Sequence, residues 1–398
     1  MKTTCKHPFF SIIISFVILT FFPPILLQAA DTEETFTNPP GMQWGVLYGQ
    51  DVSATDMVSL CDGYAVTGIQ CESGDDCSAS FMYTDISAIL VKISKIGDIQ
   101  YNHSLYDPLH PEYATAALGL DLVPANADGS GENGFVVTGL KWQNHSYDGT
   151  DWYQRDMWLS RTDTAGNYAW DITYGMVGDD WGNGIAAVWD AVAGSYDFVL
   201  GGRQADSANQ ESRGWLLRSD SSGNQEWSRG YYGDLSELGP AGEVLSIEKT
   251  PDNGFILGTE HGIKKWSGTG TMVWSADFSN KYNQVRPTPA DNGFIAVGII
   301  ADGGENNCYG GPCPDVILTK LDSDGNIEWQ RTYGEPGKPD TGNDVIVTAD
   351  SGYALVGSTQ SYYTHGSRDL WLVKTDNDGN MQWDFPMGGE NYDWGYPW

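Results

Sequence analysis

The sequence predicts an all-β protein that is built from repeated four-stranded antiparallel sheets. An eight-residue frame, D-x-x-G-N-x-x-W, recurs at 163–170, 220–227, 322–329 and 376–383. Between successive frames lies a second motif, in which a polar turn precedes Gly, an aromatic residue and an apolar run, as in DNGFIAVG (291–298). The chain has 398 residues with 49 Gly, 16 Trp and 21 Tyr, a composition that suits short strands, tight turns and a large aromatic core.

The N-terminus predicts an export signal. Lys2 and Lys6 precede an apolar run over 9–27, which small residues follow at Ala29 and Ala30. This order is typical of a secretory signal peptide. We therefore expect a signal peptide over 1–30, a mature chain of one domain over 31–398, and an extracellular or periplasmic location. An uncleaved anchor is the alternative, which the Pro pair at 23–24 disfavours because proline interrupts a spanning helix.

The strong negative charge limits the classes of partner. Lys and Arg total 21 against 53 Asp and Glu, for a formal net charge of −32. Such a surface repels nucleic-acid phosphates and anionic headgroups, so we expect no nucleic-acid partner and no membrane insertion after signal cleavage. It attracts cations, but solubility explains the charge better than a specific metal site does. We expect a monomer with no cofactor; Ca²⁺ is possible, although no specific motif supports it.

Cysteine spacing agrees with export. The segments CESGDDC and CYGGPC each enclose a loop that contains glycine, so an oxidising compartment predicts the disulfides Cys71–Cys77 and Cys308–Cys313. A zinc site is the alternative, but the five- and four-residue spacers lack a neighbouring His pair. The remaining mature cysteine, Cys61, is expected to be a small buried hydrophobe.

Each repeat divides into four strands. In the last complete repeat these are A (343–348), B (353–359), C (369–374) and D (380–385), each rich in β-branched or aromatic residues and bounded by Gly, Asn or Asp. The N-G, D-G and G-N pairs supply the positive φ angles that hairpin turns need. The aromatic residue of strand D recurs at intervals of 47–69 residues, at Trp44, Tyr101, Trp170, Trp227, Trp274, Trp329 and Trp383.

About fifty residues and four strands per repeat predict the blades of a β-propeller, with the aromatic residue of each blade wedged against its neighbour. Six blades are expected, with a seventh as the alternative because the tail resembles the start of another blade. The outer strand of the last blade has two candidates, 42–49 and 380–387. The predicted repeats span about 41–97, 98–166, 167–223, 224–270, 271–325 and 326–379, with a partial repeat at 380–398.

These motifs resemble the repeats of secreted bacterial and archaeal β-propeller proteins, in the quinoprotein-like and kelch-like group, over roughly 41–390. The resemblance implies the fold and little about activity. The sialidase Asp-box S-x-D-x-G-x-x-W does not fit, and the vicinal Cys pair of quinoprotein dehydrogenases is missing from the sequence. An EF-hand also fails, since Lys374 and Phe385 occupy ligand positions of the last frame. We therefore expect the frame Asp to cap a type I′ or similar turn.

Loop lengths point to one face of the propeller. The B–C loops are long and varied, at 69–84, 140–155, 203–213, 299–314 and 358–368, whereas the A–B and C–D turns are tight. The D–A loops emerge on the same face as the B–C loops and are acidic, as in GMVGDDWGNG (175–184). Binding usually resides in variable loops on a rigid scaffold. The predicted ligand-binding residues are Trp142, Tyr147, Trp152, Tyr153, Asp179, Asp180 and Trp181. The alternative is that these aromatic residues bury one another and fold a long insert.

The function that follows is a secreted binding module for a glycan or a protein. A glycoside hydrolase or lyase that uses Asp151, Asp179 or Asp180 is the alternative, but acidic loops are abundant in this chain. No G-x-S-x-G, H-E-x-x-H or P-loop sequence occurs. The sequence therefore favours binding over catalysis and does not identify the ligand.

Overall fold

A computed structural model describes residues 52–71, 86–95, 97–105, 114–147, 150–175, 178–206, 211–230, 242–276, 280–301, 307–308, 311–361 and 368–387. These ranges contain strands and turns, and none of them forms a helix with the length and apolar character needed to cross a membrane. The predicted signal peptide, the segment around Trp44 and the tail over 388–398 lie outside the described residues.

The chain forms two compact units, of which the first carries blades 1 to 3 and the first strand of blade 4. Every blade follows the order A, B, C, D, with each strand antiparallel to the next. The strands of the three blades are β1 (Val52–Leu60), β2 (Gly63–Cys71), β3 (Ile86–Ser94), β4 (Ile99–Ser104); β5 (Thr115–Leu122), β6 (Phe135–Tyr147), β7 (Thr150–Thr162), β8 (Tyr168–Tyr174); and β9 (Trp181–Asp190), β10 (Ser195–Asp206), β11 (Glu211–Ser219), β12 (Gln225–Arg229).

The second unit carries the rest of blade 4 and blades 5 and 6. The strands of these three blades are β13 (Val244–Lys249), β14 (Phe255–Thr259), β15 (Gly262–Trp266), β16 (Met272–Ala276); β17 (Lys281–Thr288), β18 (Gly293–Ala301), β21 (Pro314–Leu321), β22 (Ile327–Tyr333); and β23 (Thr341–Val347), β24 (Tyr353–Thr359), β25 (Asp369–Thr375), β26 (Met381–Met387). A short hairpin of β19 (Asn307–Cys308) and β20 (Gly311–Pro312) stands between β18 and β21.

Six four-stranded antiparallel sheets make the fold a six-bladed β-propeller, which confirms the predicted fold class. Strand β26 takes the outer place of blade 6, so the C-terminal candidate of the two fills it. Burial follows strand position: β14 and β15 are buried throughout, whereas the outer strand β16 alternates between exposed and covered residues. The apolar runs of the sequence are therefore the middle strands, which neighbouring strands cover on both edges.

The D-x-x-G-N turns connect strands C and D. In blade 5, the Asp322 carboxylate accepts hydrogen bonds from the backbone N–H groups of Asp324 and Asn326 and from the Asn326 side chain, all at 2.9 Å. The copies that begin at Asp163, Asp220 and Asp376 make the same three bonds. The frame Asp therefore caps its turn, as predicted.

The type of this turn differs from the type I′ expectation. In the turn after Asp322 a positive φ (83°) falls on Gly325 alone, and the register of strand D shifts immediately afterwards, opposite Lys320 and Leu321. A single left-handed glycine followed by a bulge belongs to the three-residue hairpin that begins with a type I turn. The A–B turns place the positive φ on the residue before glycine, at Asn253, Asn292 and Ser351.

Neighbouring blades lock together through the aromatic residue of strand D. Each ring lies against the turn glycine of the following blade, so close that a Cβ atom on that glycine would press on the ring. The pairs are Tyr101 with Gly166, Trp170 with Gly223, Trp227 with Gly270, Trp274 with Gly325, and Trp329 with Gly379. This arrangement confirms that the aromatic residue of one blade wedges against the next, within each of the two units.

The innermost strands are joined in a second way. A bulged residue on strand A donates a side-chain hydrogen bond to a carbonyl of the next strand A. Thr55 Oγ1 donates to Ala117 O and Asn183 Nδ2 to Val244 O, both at 2.8 Å. Asn283 Nδ2 donates to Gly342 O at the same distance in the second unit. The bulge thus frees a polar side chain to link adjacent blades.

A basic residue recurs on strand C, two residues before the frame Asp, at Arg161, Arg218, Lys320 and Lys374. In blade 5, Lys320 Nζ lies 2.8 Å from Asp291 of the A–B turn and 3.1 Å from Glu328 of strand D. Lys374 pairs in the same way with Asp350, at 2.9 Å. The basic residue therefore ties two turns of its blade together, because its side chain is buried and points across the sheet.

No free cysteine occurs among the described residues. Cys61 and Cys313 are both disulfide-bonded, to sulfur atoms outside the described side chains. The expectation that Cys61 is an unpaired hydrophobe is therefore wrong. The side chains of Cys71 and Cys308, and the whole of Cys77, lie outside the described part of the chain, so the Cys71–Cys77 and Cys308–Cys313 pairings stay predictions.

Candidate functional site

The predicted B–C loop over 140–155 is a two-stranded ribbon. The ladder between β5 and β6 ends at Lys141, and that between β7 and β8 ends at Met157. Beyond these points β6 and β7 continue to pair with each other, up to the Tyr147–Thr150 pair. The insert thus prolongs the two middle strands of blade 2 past the edge of their sheet, so its backbone is regular.

Three predicted ligand-binding residues lie on this ribbon. In the register of β6 and β7, Trp152 is opposite His145, Tyr153 is opposite Asn144, and Tyr147 is opposite Thr150. Their side chains lie outside the described part of the structure. The backbone therefore brings all three aromatic residues to one hairpin, and their role in binding stays a prediction.

Trp142 stands at the base of the ribbon and is buried, with 4% of its surface exposed. Its ring belongs to a hydrophobic cluster that includes Ile69, Ile86 and Leu140. The backbone N–H of Trp142 donates to Ala114 O at 2.9 Å. Trp142 therefore packs the ribbon onto its blade, as in the alternative reading of the insert, and its ring is not open to a ligand.

Rings and guanidinium groups alternate next to Trp142 in what we call the Trp181 stack, formed by Trp142, Arg155, Trp181 and Arg203. The Arg155 guanidinium lies 5.7 Å from the Trp142 ring centroid and 5.1 Å from that of Trp181. The Arg203 guanidinium lies 4.4 Å from the Trp181 centroid. All three contacts are within cation–π range. Trp181 and Arg203 are cross-strand partners on β9 and β10, which fixes this last contact in the backbone register.

Asp179 is bound to Arg155. One carboxylate oxygen accepts the backbone N–H of Arg155 at 3.1 Å, and the other pairs with its guanidinium at 2.5 Å. Burial raises the pKa of the Asp179 carboxyl, but the hydrogen bonds and charge of Arg155, with a contribution from Arg203, outweigh burial and lower that pKa below its ordinary value. Asp179 is thus an ionised carboxylate that positions Arg155.

Asp180 makes hydrogen bonds to the backbone of two neighbouring strands. It is fully buried, its carboxylate accepts the N–H of Ala205 at 2.8 Å, and its own backbone N–H donates to Arg155 O at 2.7 Å. Asp340 of blade 6 is equivalent: it is fully buried, accepts the N–H of Gln360 at 3.0 Å, and donates to Pro314 O at 2.7 Å. Recurrence in two blades indicates that this Asp anchors the entry to strand A, so Asp179 and Asp180 differ in role although they are adjacent.

Glu243 binds the polar edge of the Trp181 ring. Its carboxylate accepts a hydrogen bond from the indole Nε1 of Trp181 and another, at 2.6 Å, from Asn183 Nδ2. The structure therefore adds Arg155, Arg203 and Glu243 to the residues that the sequence singled out. In a chain with only 21 basic residues, the available signal was an arginine at the last position of the predicted loop 140–155 and another at the first position of 203–213.

A separate acidic cluster lies at the opposite end of blade 3. Carboxylate oxygens of Asp190, Asp197 and Glu226 approach within 4.8 Å of one another, which is compatible with a shared cation. Arg218 already supplies that cation, because its guanidinium lies 2.6 Å from Asp197, 3.0 Å from Glu226 and 3.7 Å from Asp190. The cluster is thus the blade 3 version of the basic–acidic link seen at Lys320.

No family model and no curated protein matches the chain. Among solved structures, it is similar to a Bacteroides caccae protein of unknown function, with 9% identity, a TM-score of 0.39, and coverage of 81% of this chain and 93% of that one. The Neurospora crassa Pan2 WD40 domain is 8% identical, with a TM-score of 0.46 and coverage of 82% of this chain and 87% of that one. Kuenenia stuttgartiensis hydrazine synthase is 13% identical, with a TM-score of 0.43 and coverage of 73% of this chain and 70% of that one. These similarities concern the fold alone.

Proposed function

We propose that the protein is a secreted, monomeric binding module that recognises a glycan through the β6–β7 ribbon and the Trp181 stack. The observation that carries the proposal is the half-buried Trp181 ring at a strand end, held by guanidinium contacts at 5.1 and 4.4 Å. These neighbours fix the position of the part of the indole that stays exposed, so it can contact a sugar ring without losing side-chain entropy on binding.

The ribbon supports the same surface. Its backbone is an extension of the blade, with Tyr153 and Trp152 two and three residues from Arg155 on β7 and Tyr147 at the far end of the ladder. Aromatic residues on a regular scaffold are typical of preorganised binding sites. Trp142 takes a supporting role in this proposal, since it packs the base of the ribbon. Asp179 and Asp180 likewise hold the arginine and the backbone.

The test is a glycan array probed with the mature chain and two tryptophan variants. Trp181→Ala should abolish the binding of whichever glycan the wild type retains. Trp189→Ala is the matched control, because Trp189 is a partly buried tryptophan on the same strand that packs at the other end against Tyr196. Equal loss in both variants, or no glycan bound by the wild type, would count against the proposal, and the latter result would favour a protein ligand.

The enzyme alternative is tested in parallel with a panel of chromogenic glycosides. A binding module should release no chromophore from any of them. Turnover by the wild type that disappears in Asp179→Asn or Asp180→Asn, while both variants keep the wild-type melting temperature, would replace the binding proposal with a carbohydrate-active enzyme. Turnover that survives both changes would also reject the binding module as proposed, but would place the catalytic groups elsewhere.

A further inference from the structure

Arg203 differs from every other arginine in the part of the chain that the structure describes. Its guanidinium stacks on Trp181 at 4.4 Å and its charge contributes to lowering the pKa of Asp179, but it makes neither an ion pair nor a hydrogen bond with a described residue. Its Nε atom is buried and has no hydrogen-bond partner. Arg155, by comparison, pairs with Asp179, and Arg229, which also stacks on a tryptophan, donates to Ser228 O.

An unpaired, half-buried guanidinium is unexpected in this chain. Acidic residues outnumber basic ones by 53 to 21, so partners for a cation are plentiful. Buried donors are nearly always satisfied, and those that are not require an explanation such as a ligand. Two described carboxylates of the site have other partners: Asp179 binds Arg155, and Glu243 accepts hydrogen bonds from Trp181 and Asn183.

We propose that Arg203 binds the carboxylate of an acidic sugar while that sugar, or its neighbour, stacks beside Trp181. This inference rests on the proposed glycan-binding function and deepens it. A guanidinium offers a planar fork of donors that matches the two oxygens of a carboxylate. The stack on Trp181 holds the plane of that fork in place, so less side-chain freedom is lost when the ligand binds.

The ligand carries an isolated carboxylate and is not a polyanion. The net charge of −32 repels a densely charged polymer at long range. At physiological ionic strength the Debye length is about 8 Å, so remote carboxylates act little on one ligand charge in contact with Arg203. An oligosaccharide with one uronic or sialic acid residue has a carboxylate for Arg203 and no further dense negative charge. The Trp181 ring favours a sugar over an acidic peptide.

The experiment uses an array of matched glycan pairs that differ only in the acidic group: glucuronic against glucose ends, galacturonic against galactose ends, and sialylated against unsialylated galactose. The wild type should bind the acidic member of at least one pair about 10- to 100-fold more tightly, the range expected for a hydrogen bond to a charged group. Which pair responds distinguishes a uronic from a sialic acid ligand. This comparison needs no variant, so it does not depend on how a substitution folds.

Variants then assign the preference to one side chain. Arg203→Gln should erase the difference between acidic and neutral members, and Arg203→Lys should keep part of it because the charge remains. Arg229→Gln is the matched control, since it removes an arginine that stacks on Trp227 in the same blade at 5.2 Å. It should leave the preference unchanged.

The outcomes separate the inference from the function on which it rests. Binding of neutral and acidic members with equal affinity, or a preference that survives Arg203→Gln, would overturn the role of Arg203 and leave glycan binding intact. Binding of no glycan at all would overturn the proposed function itself. Binding of acidic peptides in place of every glycan would identify the other class of carboxylate ligand and would also reject the proposal.

Discussion

The ring of Trp329 rests on Gly379. A Cβ atom added at residue 379 would lie 2.6 Å from Cζ3 of the Trp329 ring and 2.8 Å from Cγ of Arg331. The carbonyl of the same glycine accepts a 2.7 Å hydrogen bond from the Tyr333 hydroxyl. In the preceding unit, Tyr174 makes the same bond to Gly223 O. One glycine therefore receives both the ring and the hydroxyl of the blade before it.

This relationship explains why D-x-x-G-N-x-x-W recurs as one frame. Asp and Asn close the turn, the glycine supplies a positive φ and an empty Cβ position, and the tryptophan reaches the glycine of the following blade. The copies at 163–170, 220–227 and 322–329 thus each receive one ring on their glycine and place their own tryptophan on the next glycine. Changing any of the four residues should affect two blades.

We expect Gly379→Ala to destabilise the protein more than its backbone angle alone requires. A left-handed φ costs a residue with a Cβ about 1–2 kcal/mol, and overpacking against Trp329 should add about 1–3 kcal/mol to the loss in free energy of unfolding. Urea unfolding followed by tryptophan fluorescence measures the sum. Gly194→Ala is the control, because Gly194 has a φ of 69° but no atom within 4 Å of its Cβ position. Equal losses in the two variants would mean that the ring does not press on the glycine.

Tyr174 should make stability depend on pH in the alkaline range. Burial, with a smaller contribution from the charge of Asp220, raises the pKa of its hydroxyl to about 12. In the unfolded chain the pKa is about 10. Because the folded pKa is the higher one, the stability that this neutral hydroxyl contributes is complete below about pH 10 and is lost as the pH rises through about 12.

Tyr174→Phe tests this linkage. At about pH 9 the variant should be less stable by about 0.5–1.5 kcal/mol, since the bond to Gly223 O is lost. The gap should narrow as the pH approaches 12, because the phenylalanine has no proton to lose. Urea midpoints across this range measure the gap. A gap that stays constant with pH would show that the hydroxyl titrates as it does in water.

Much of the fold follows from local chemistry that the sequence displays. The four frames predict the turns because Asp, Gly and Asn each satisfy a need of the turn itself, and strand periodicity predicts the sheets. The partner of Lys320 could not be found in this way. Its distances to Asp291 and Glu328 depend on how strands B, C and D align, whereas the frame Asp two residues later is closer only in sequence.

The candidate site was less predictable for the same reason. Trp181, Asp179 and Asp180 were singled out as neighbours in sequence, yet their roles are set by residues 24 to 62 positions away. Arg155 and Arg203 meet the Trp181 ring only after β7, β9 and β10 are placed. The length of 140–155 suggested an irregular loop, but the pairing between β6 and β7 continues through this insert.

Asp180 and Asp179 should differ sharply in their effect on stability. Asp180→Ala leaves the partly buried N–H of Ala205 without its acceptor, at a cost of about 1–3 kcal/mol. Asp340→Ala should cost a similar amount, since Asp340 holds Gln360 in the same manner. Asp179→Ala removes a partly exposed pair, worth about 1 kcal/mol or less. Thermal unfolding of the three variants measures the order. A larger loss for Asp179 than for Asp180 would contradict the assignment of Asp180 as an anchor.

The buried ammonium of Lys374 should make the protein sensitive to acid through Asp350. Lys374 Nζ is 2.9 Å from the Asp350 carboxylate and 2.7 Å from Thr375 O, with 1% of the side chain exposed. Burial raises the pKa of the Asp350 carboxyl, but hydrogen bonds from Thr348, Lys374 and the Gly352 N–H outweigh burial and lower it. Because the folded pKa is the lower one, this stability is complete above about pH 4 and is lost as the pH falls through the folded value.

Asp350→Asn should therefore destabilise the protein at neutral pH by about 1–2 kcal/mol, because it leaves a buried charge without its anionic partner. The difference from wild type should shrink on acidification, as the wild-type carboxylate is protonated. Asp378→Asn is the matched control: Asp378 is an exposed residue of the next turn with no ion pair among the described residues, so its loss should stay within about 0.5 kcal/mol. Urea unfolding at about pH 7 and pH 3 measures both variants. If Asp350→Asn were as mild as the control at neutral pH, the neutral acceptors Thr375 O and Gln382 Oε1 would have to satisfy Lys374 without a carboxylate, and the A–B turn would contribute no charge to the blade.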